Sequence, residues 1–185
     1  MFACPQARVD PRRRQIRRIQ PARGRRQRAV EPFLKARRAA WINSRLWTRK
    51  HPQPDLIVDN VWLGRIPAAR EQGSFKAIVD LCAELPINPQ GRAYACVPVL
   101  DLIAPTPAEC LQAAQAIERL RASGPLLVCC ALGYSRSATA VAAWLLQSGR
   151  ATTVDEALAI IRTARAHVVL HPAHREALEG LAHAR

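Results

Sequence analysis

Residues 125–149 read PLLVCCALGYSRSATAVAAWLLQSG: an apolar run of strand length, a short loop with one glycine, and a helical stretch closed by a second glycine. No other feature constrains the fold as strongly. A short, continuously apolar run suits a strand buried on both faces, and such strands belong to parallel sheets whose crossovers are helices. The bland alternative is a buried strand entering an ordinary helix, with nothing bound between them.

From residue 54 the same alternation recurs. DLIVDNVWLG predicts one or two short strands ending at Gly64, and FKAIVDL a buried strand. AYACVPVL predicts another, which Pro98 places at an edge or gives an irregular end. Thr106-Pro107-Ala108-Glu109 is a helix start, with a capping hydroxyl, proline in the first turn and a glutamate to close the box. That helix is expected to turn Leu111, Ala114, Ile117 and Leu120 inward and to end near Gly124. PLLVCC is then a strand, and SATAVAAWLLQSG a helix stopped by Gly149. Thr153 with Glu156 caps a helix bearing Leu158 and Ile161, and His171-Pro172 opens the last. The expected fold class is α/β, a mainly parallel central sheet flanked by helices.

Charge divides the chain. Residues 1–50 hold 16 Lys and Arg against Asp10 and Glu31, so this stretch carries the whole formal charge of +14. The rest is electrically balanced. The division predicts a basic arm over 1–50, disordered or helical, ahead of a globular domain over 54–185. The arm lacks the apolar core of a secretory signal, and no charge-free apolar run reaches the ~18–20 residues of a membrane span. A cytoplasmic location is expected, with peripheral membrane contact as the variant. Within VEPFLKARRAAWINSRLWTRK, Phe33, Leu34, Ala40, Trp41 and Trp47 share a helical face, so residues 33–50 suit either an anionic membrane surface or docking on the chain's own globule. The arm's cations would attract any polyanion, but no aromatic-interleaved pattern or reading helix supports specific nucleic-acid binding. A monomer is expected.

Six cysteines without an export signal predict free thiols in a reducing compartment. His167, His171 and His174 could gather around a metal, but such histidines more often cap helices or face solvent, so neither a metal nor another cofactor is expected.

The loop in VCCALGYSRSA carries the chemistry. Amides at a helix start lack partners and point outward, and the helix dipole adds positive charge, so strand, glycine loop and helix together suit an anion. The five residues from Ala131 to Ser135 can wrap a tetrahedral oxyanion, with Gly133 supplying unusual backbone angles. Arg136 can grip two phosphate oxygens with its planar fork. The same field would lower the pKa of Cys130 and make it a nucleophile, while the Ser137 hydroxyl can stabilise its sulfur.

CALGYSRSA resembles the active-site loop of the dual-specificity subgroup of the protein tyrosine phosphatase superfamily, and the resemblance extends over about residues 54–185. VWLGRIP is similar to that family's opening strand, IVDLCAEL to the strand leading to its core, and VPVLDLIAPTPAE to the segment bearing its general acid. The resemblance implies that Cys130 is the nucleophile and Arg136 the phosphate clamp. It implies that Ala131, Leu132, Gly133, Tyr134 and Ser135 supply backbone donors, and that Asp101 is the general acid, with Asp80 the rival. The family usually has histidine where this chain has Cys129, a departure that bears on the Cys130 pKa and the rate. Cys129 or Cys82 could form a reversible disulfide with Cys130; both as buried structural thiols is the plainer reading.

The implied activity is metal-independent hydrolysis of phosphate monoesters through a phosphocysteine. Arg136 is the loop's sole basic residue, which favours phosphoproteins or small phosphoesters over polyphosphorylated lipids. The segment WINSRLWTRK, with the domain after it, also resembles bacterial fusions of a membrane lipid phosphatase with a dual-specificity domain. That resemblance keeps open a phospholipid or phosphatidylglycerophosphate phosphatase at a membrane surface. Sulfur transfer of the rhodanese kind and an inactive phosphate-binding module are the remaining alternatives.

Overall fold

The computed structural model of the protein describes residues 53–66, 74–85 and 87–183, together with Leu34, Arg38 and Ile42. Those three are helical with exposed side chains. The expectations for Phe33, Ala40, Trp41, Trp47 and the rest of the arm lie outside the described residues.

Asp55–Val58 (β1) and Val61–Arg65 (β2) form an antiparallel hairpin. Asp59 and Asn60 turn it at positive φ, 47° and 66°, the left-handed pair that tight hairpins demand and that Asp and Asn tolerate. DLIVDNVWLG is thus two strands, and Gly64 lies inside β2 instead of ending it. It is needed there for close approach, since a Cβ would fall 2.9 Å from that of Pro54.

Ala77–Cys82 (β3), Ala93–Val99 (β4) and Leu126–Cys130 (β5) complete a five-stranded sheet in the order β1-β2-β5-β3-β4. All neighbours except β1 and β2 run parallel. The apolar run β5 is central and wholly buried, and β4, with Pro98, lies at the edge, where a residue lacking an amide hydrogen is tolerated.

Four helices follow among the described residues: Pro107–Arg121 (α1), Arg136–Gln147 (α2), Val154–Ala164 (α3) and Pro172–His183 (α4). The capping box of α1 forms, with Glu109 N donating to Thr106 Oγ1 at 3.3 Å and Thr106 N to the Glu109 carboxylate at 2.7 Å. In α3, Glu156 N donates to Thr153 Oγ1 at 3.1 Å.

The inward face of α1 differs from the periodicity. Ala114 and Ile117 are buried, but Leu120 is half-buried and Leu111 is 36% exposed. Cys110, Ala113 and Ala116 are buried instead. Their small side chains let α1 pack closely on the alanine-rich α2, and Leu111 is left beside Trp144 in a second cavity. Helix α2 is buried from Arg136 to Leu146. Its Trp144 is fully enclosed, donates Nε1–H to Glu118 at 2.7 Å and has the Arg150 guanidinium 4.6 Å from its ring. Burying a side chain of this size stabilises by about 3 kcal/mol.

The two faces of β5 enter different cores. Leu126, Val128 and Cys130 join a large cluster fed by all four helices. Leu127 and Cys129 join a smaller one with Ile66, Phe75, Ile78, Cys82, Ile87 and Ala131. Among the described residues, no helix is long and apolar enough to cross a membrane.

Candidate active site

Residues 131–135 connect β5 to α2 at the carboxyl end of the central strand, where open α/β sheets place their ligands. Gly133 has φ 72°, and a Cβ there would lie 2.6 Å from the Gly64 carbonyl, so the loop rests directly on the β2 backbone. From the side, Arg165 Nε donates to the Gly133 carbonyl at 2.9 Å. Arg165 is itself ion-paired with Asp55 at 2.5 Å, and its guanidinium lies 5.6 Å from the centre of the Tyr134 ring.

Cys130 Sγ lies 3.3 Å from Ser137 Oγ and accepts the Gly133 amide at 3.3 Å. Burial alone would raise this thiol. The Arg136 charge, the Ser137 hydroxyl and the amides of Ser137 and Gly133 outweigh burial and hold its pKa below the ordinary value. Cys129 is driven the other way: complete burial, then the nearby Asp80 and Cys130, push it well above.

Arg136 is 3% exposed. Its Nη1 donates to Glu84 at 2.8 Å and to the Val99 carbonyl at 2.7 Å, and its Nη2 pairs with Asp101 at 3.2 Å. Burial disfavours the charge, but the Cys130 and Cys82 sulfurs and the Glu84 carboxylate more than offset this and raise its pKa. Glu84 is itself buried and also accepts the Cys82 thiol at 3.0 Å and the Asp101 backbone amide. Burial pushes Glu84 up, and those donors together with Arg136 bring it below the usual carboxylate range. A thiol that donates to a carboxylate resists ionising, and Cys82 is pushed up to about 12, mainly by burial. One buried carboxylate therefore fixes both the arginine and the segment that carries Asp101.

A cavity of about 590 Å³ opens here, walled by Asp101, Leu132, Tyr134, Ser135 and Arg136, with His167, Val168, Val169, His171 and His174 opposite. The structure thus gathers Cys130, Arg136, Ser137 and Asp101 around the 131–135 loop. Asp80 is elsewhere, buried in β3, where it accepts the Cys82 amide at 2.9 Å and the Tyr94 hydroxyl at 3.1 Å. Burial raises its pKa to about 6. The three histidines share the cavity wall, and no group of three potential ligands among the described residues is arranged to hold a metal. The five described cysteines are free thiols.

Sequence reasoning missed Glu84, Arg165 and the contact of His174 with Ser135, at 3.1 Å between Nε2 and Oγ. Glu84 had a faint signal, a glutamate two residues beyond an apolar strand. The other two depend on where the last helices come to rest.

A cysteine held below its normal pKa, under a glycine loop at a helix start and beside a fixed arginine, defines a cysteine-dependent phosphatase site. The comparisons with known proteins narrow this to a family. The dual specificity phosphatase catalytic domain matches residues 61–181. Human DUSP28 superposes with a TM-score of 0.65 at 26% identity, over 72% of this chain and 95% of that one. Tk-PTP in its active form gives 0.63 at 30% identity, over 71% and 97%. PTPMT1, at 24% identity and a TM-score of 0.61 over 71% and 95%, shares the fold. No curated protein sequence matches the chain. The chain belongs to the dual specificity phosphatase family, and its activity is cysteine-dependent hydrolysis of phosphate monoesters.

Proposed function

We propose that Cys130 is the nucleophile, Arg136 the phosphate clamp, Asp101 the proton donor and Ser137 the group that steadies the leaving sulfur. The observation that carries this reading is the surroundings of Cys130, where two donors within 3.3 Å and a nearby guanidinium stabilise a buried thiolate. Backbone amides of Ala131, Leu132, Gly133, Tyr134 and Ser135, with the Arg136 fork, take the phosphate oxygens. Nη1 of Arg136 is committed to Glu84 and Val99, so the Nε–Nη2 edge faces the substrate, and phosphate replaces Asp101 on Nη2.

The exchange also frees the acid. As the sulfur–phosphorus bond forms and the ester phosphorus–oxygen bond breaks, Asp101 delivers its proton to the departing oxygen. Water then attacks phosphorus, Asp101 takes up its proton, and the sulfur leaves as a thiolate hydrogen-bonded to Ser137. Every step balances without a metal.

The substrate in this reading is a singly phosphorylated monoester, on a phosphoprotein or small molecule, because Arg136 is the loop's one basic residue. Hydrolysis of p-nitrophenyl phosphate in a chelator, lost in Cys130→Ser, with a phosphoryl adduct trapped on Cys130 in rapid quench, is the expected result. Turnover without that adduct would sink the assignment. A panel of phosphopeptides, phosphatidylglycerophosphate and inositol phospholipids then ranks the substrates, and clear preference for a lipid would move the enzyme to a membrane surface, where residues 33–50 become the contact to test.

A further inference from the structure

Among the described residues, three helices begin after a hydroxyl residue, and one of those hydroxyls does not cap its helix. Thr106 and Thr153 take extended backbone angles and accept the amide three residues on, at 3.3 and 3.1 Å. Ser135, which precedes α2, has φ −108° and ψ −70°, and its hydroxyl makes no capping bond. It lies instead 3.1 Å from Nε2 of His174.

His174 comes from the first turn of α4, is 4% exposed, and lines the cavity beside Ser135 and Arg136. Its Nδ1 is buried without a hydrogen-bond partner, so the contact with Ser135 is the ring's one hydrogen bond. Burial, then His171 and Arg136, hold the imidazole below its ordinary pKa. At neutral pH Nε2 can therefore accept a hydrogen bond from the Ser135 hydroxyl.

An unrestrained N-cap serine accepts the amide of the second or third helical residue. In α2 those residues are Ser137, whose amide already serves the Cys130 sulfur, and Ala138. A capping Ser135 would draw the Ser137 amide from the Cys130 sulfur or lay its hydroxyl over the helix end beside the phosphate loop.

We propose that His174 is a positioning residue that holds the Ser135 hydroxyl away from the N-terminus of α2, keeping that helix end open for the substrate's phosphate. The inference rests on the phosphate-site reading above. It assigns the imidazole no proton transfer and no contact with the reacting atoms. The neutral ring acts by occupying a hydroxyl that would otherwise close the site.

The test is a double-mutant cycle read by tungstate affinity, from calorimetry and from inhibition of p-nitrophenyl phosphate hydrolysis. His174→Phe fills the space but releases the serine, and the Kd for tungstate should rise about fivefold, the worth of one cap. His174→Gln, which can still accept a hydrogen bond from the hydroxyl, should bind within about twofold of wild type. Ser135→Ala combined with His174→Phe should return to within about twofold of Ser135→Ala alone, since no hydroxyl remains to cap. A ring that mattered only for packing would give no such rescue. Should the phenylalanine variant melt below assay temperature, His174→Asn, too short to reach Ser135, takes its place in the cycle. Wild-type affinity in the single variant, or a double variant as weak as the single, overturns the inference and leaves the site reading standing. Failure of the wild type both to bind tungstate and to turn over substrate overturns both.

Discussion

Cys129 and Cys130 are adjacent in β5 and both buried, yet their thiols are driven in opposite directions. Cys130 faces the helical side, where a helix start, a hydroxyl and a guanidinium surround its sulfur. Cys129 faces Ile78, Leu127 and the buried Asp80, so burial is reinforced by negative charge. Burial alone therefore does not decide whether a cysteine reacts. The alternation of a strand hands one thiol to an electropositive pocket and its neighbour to an apolar one.

The most direct way to break this contrast is to remove each sulfur. Cys130→Ser should lower kcat for p-nitrophenyl phosphate by about 10⁵-fold or more, whereas Cys129→Ala should stay within about tenfold of wild type. Comparable losses would make the two thiols one functional unit. Arg136→Lys keeps a charge but loses the fork. It should cost about 10²–10³-fold in kcat/KM and move the pH midpoint of Cys130 alkylation by iodoacetamide upward, toward that of an ordinary thiol. An unmoved midpoint would leave the amides and Ser137 as sufficient cause.

Asp101→Asn should slow alkyl phosphates about 10²-fold and p-nitrophenyl phosphate far less, because a good leaving group needs no proton. Equal losses on both would remove Asp101 from that role.

The smallest effect lies on the Cys129 side. Asp80 has a folded pKa near 6, above its unfolded value, so the stability it confers is complete at low pH and lost as pH rises toward 6. Asp80→Asn can still accept the Cys82 amide and instead donate to the Tyr94 oxygen, and should raise unfolding stability by on the order of 2 kcal/mol at pH 7.5, with little change at pH 4. Urea titrations at the two pH values measure this, and equal gains at both would refute burial of the charge as the cause.

Much of this was legible in the sequence because it is local. The β5–loop–α2 stretch, the Thr106 capping box and the edge placement of Pro98 depend on neighbours a few residues apart. Leu111 was misplaced because the inward stripe of α1 is set by close packing on α2, which one helix's periodicity does not contain. Asp101 could be placed in a segment, but not in its ion pair with Arg136. The partners of Glu84 and His174 could not be read for a related reason: each is brought near only by the final arrangement of strands and helices.

The seat of Gly133 on the carbonyl of Gly64 has a wider consequence. With no side chain at the junction, the loop backbone lies directly on the hairpin beneath it, and no flexible group separates the two to absorb a shift. Small displacements of β1 or β2, too slight to register in a melting curve, should be passed undamped to the phosphate cradle. Substitutions in that hairpin are therefore better sought by assaying turnover than by screening for thermal stability.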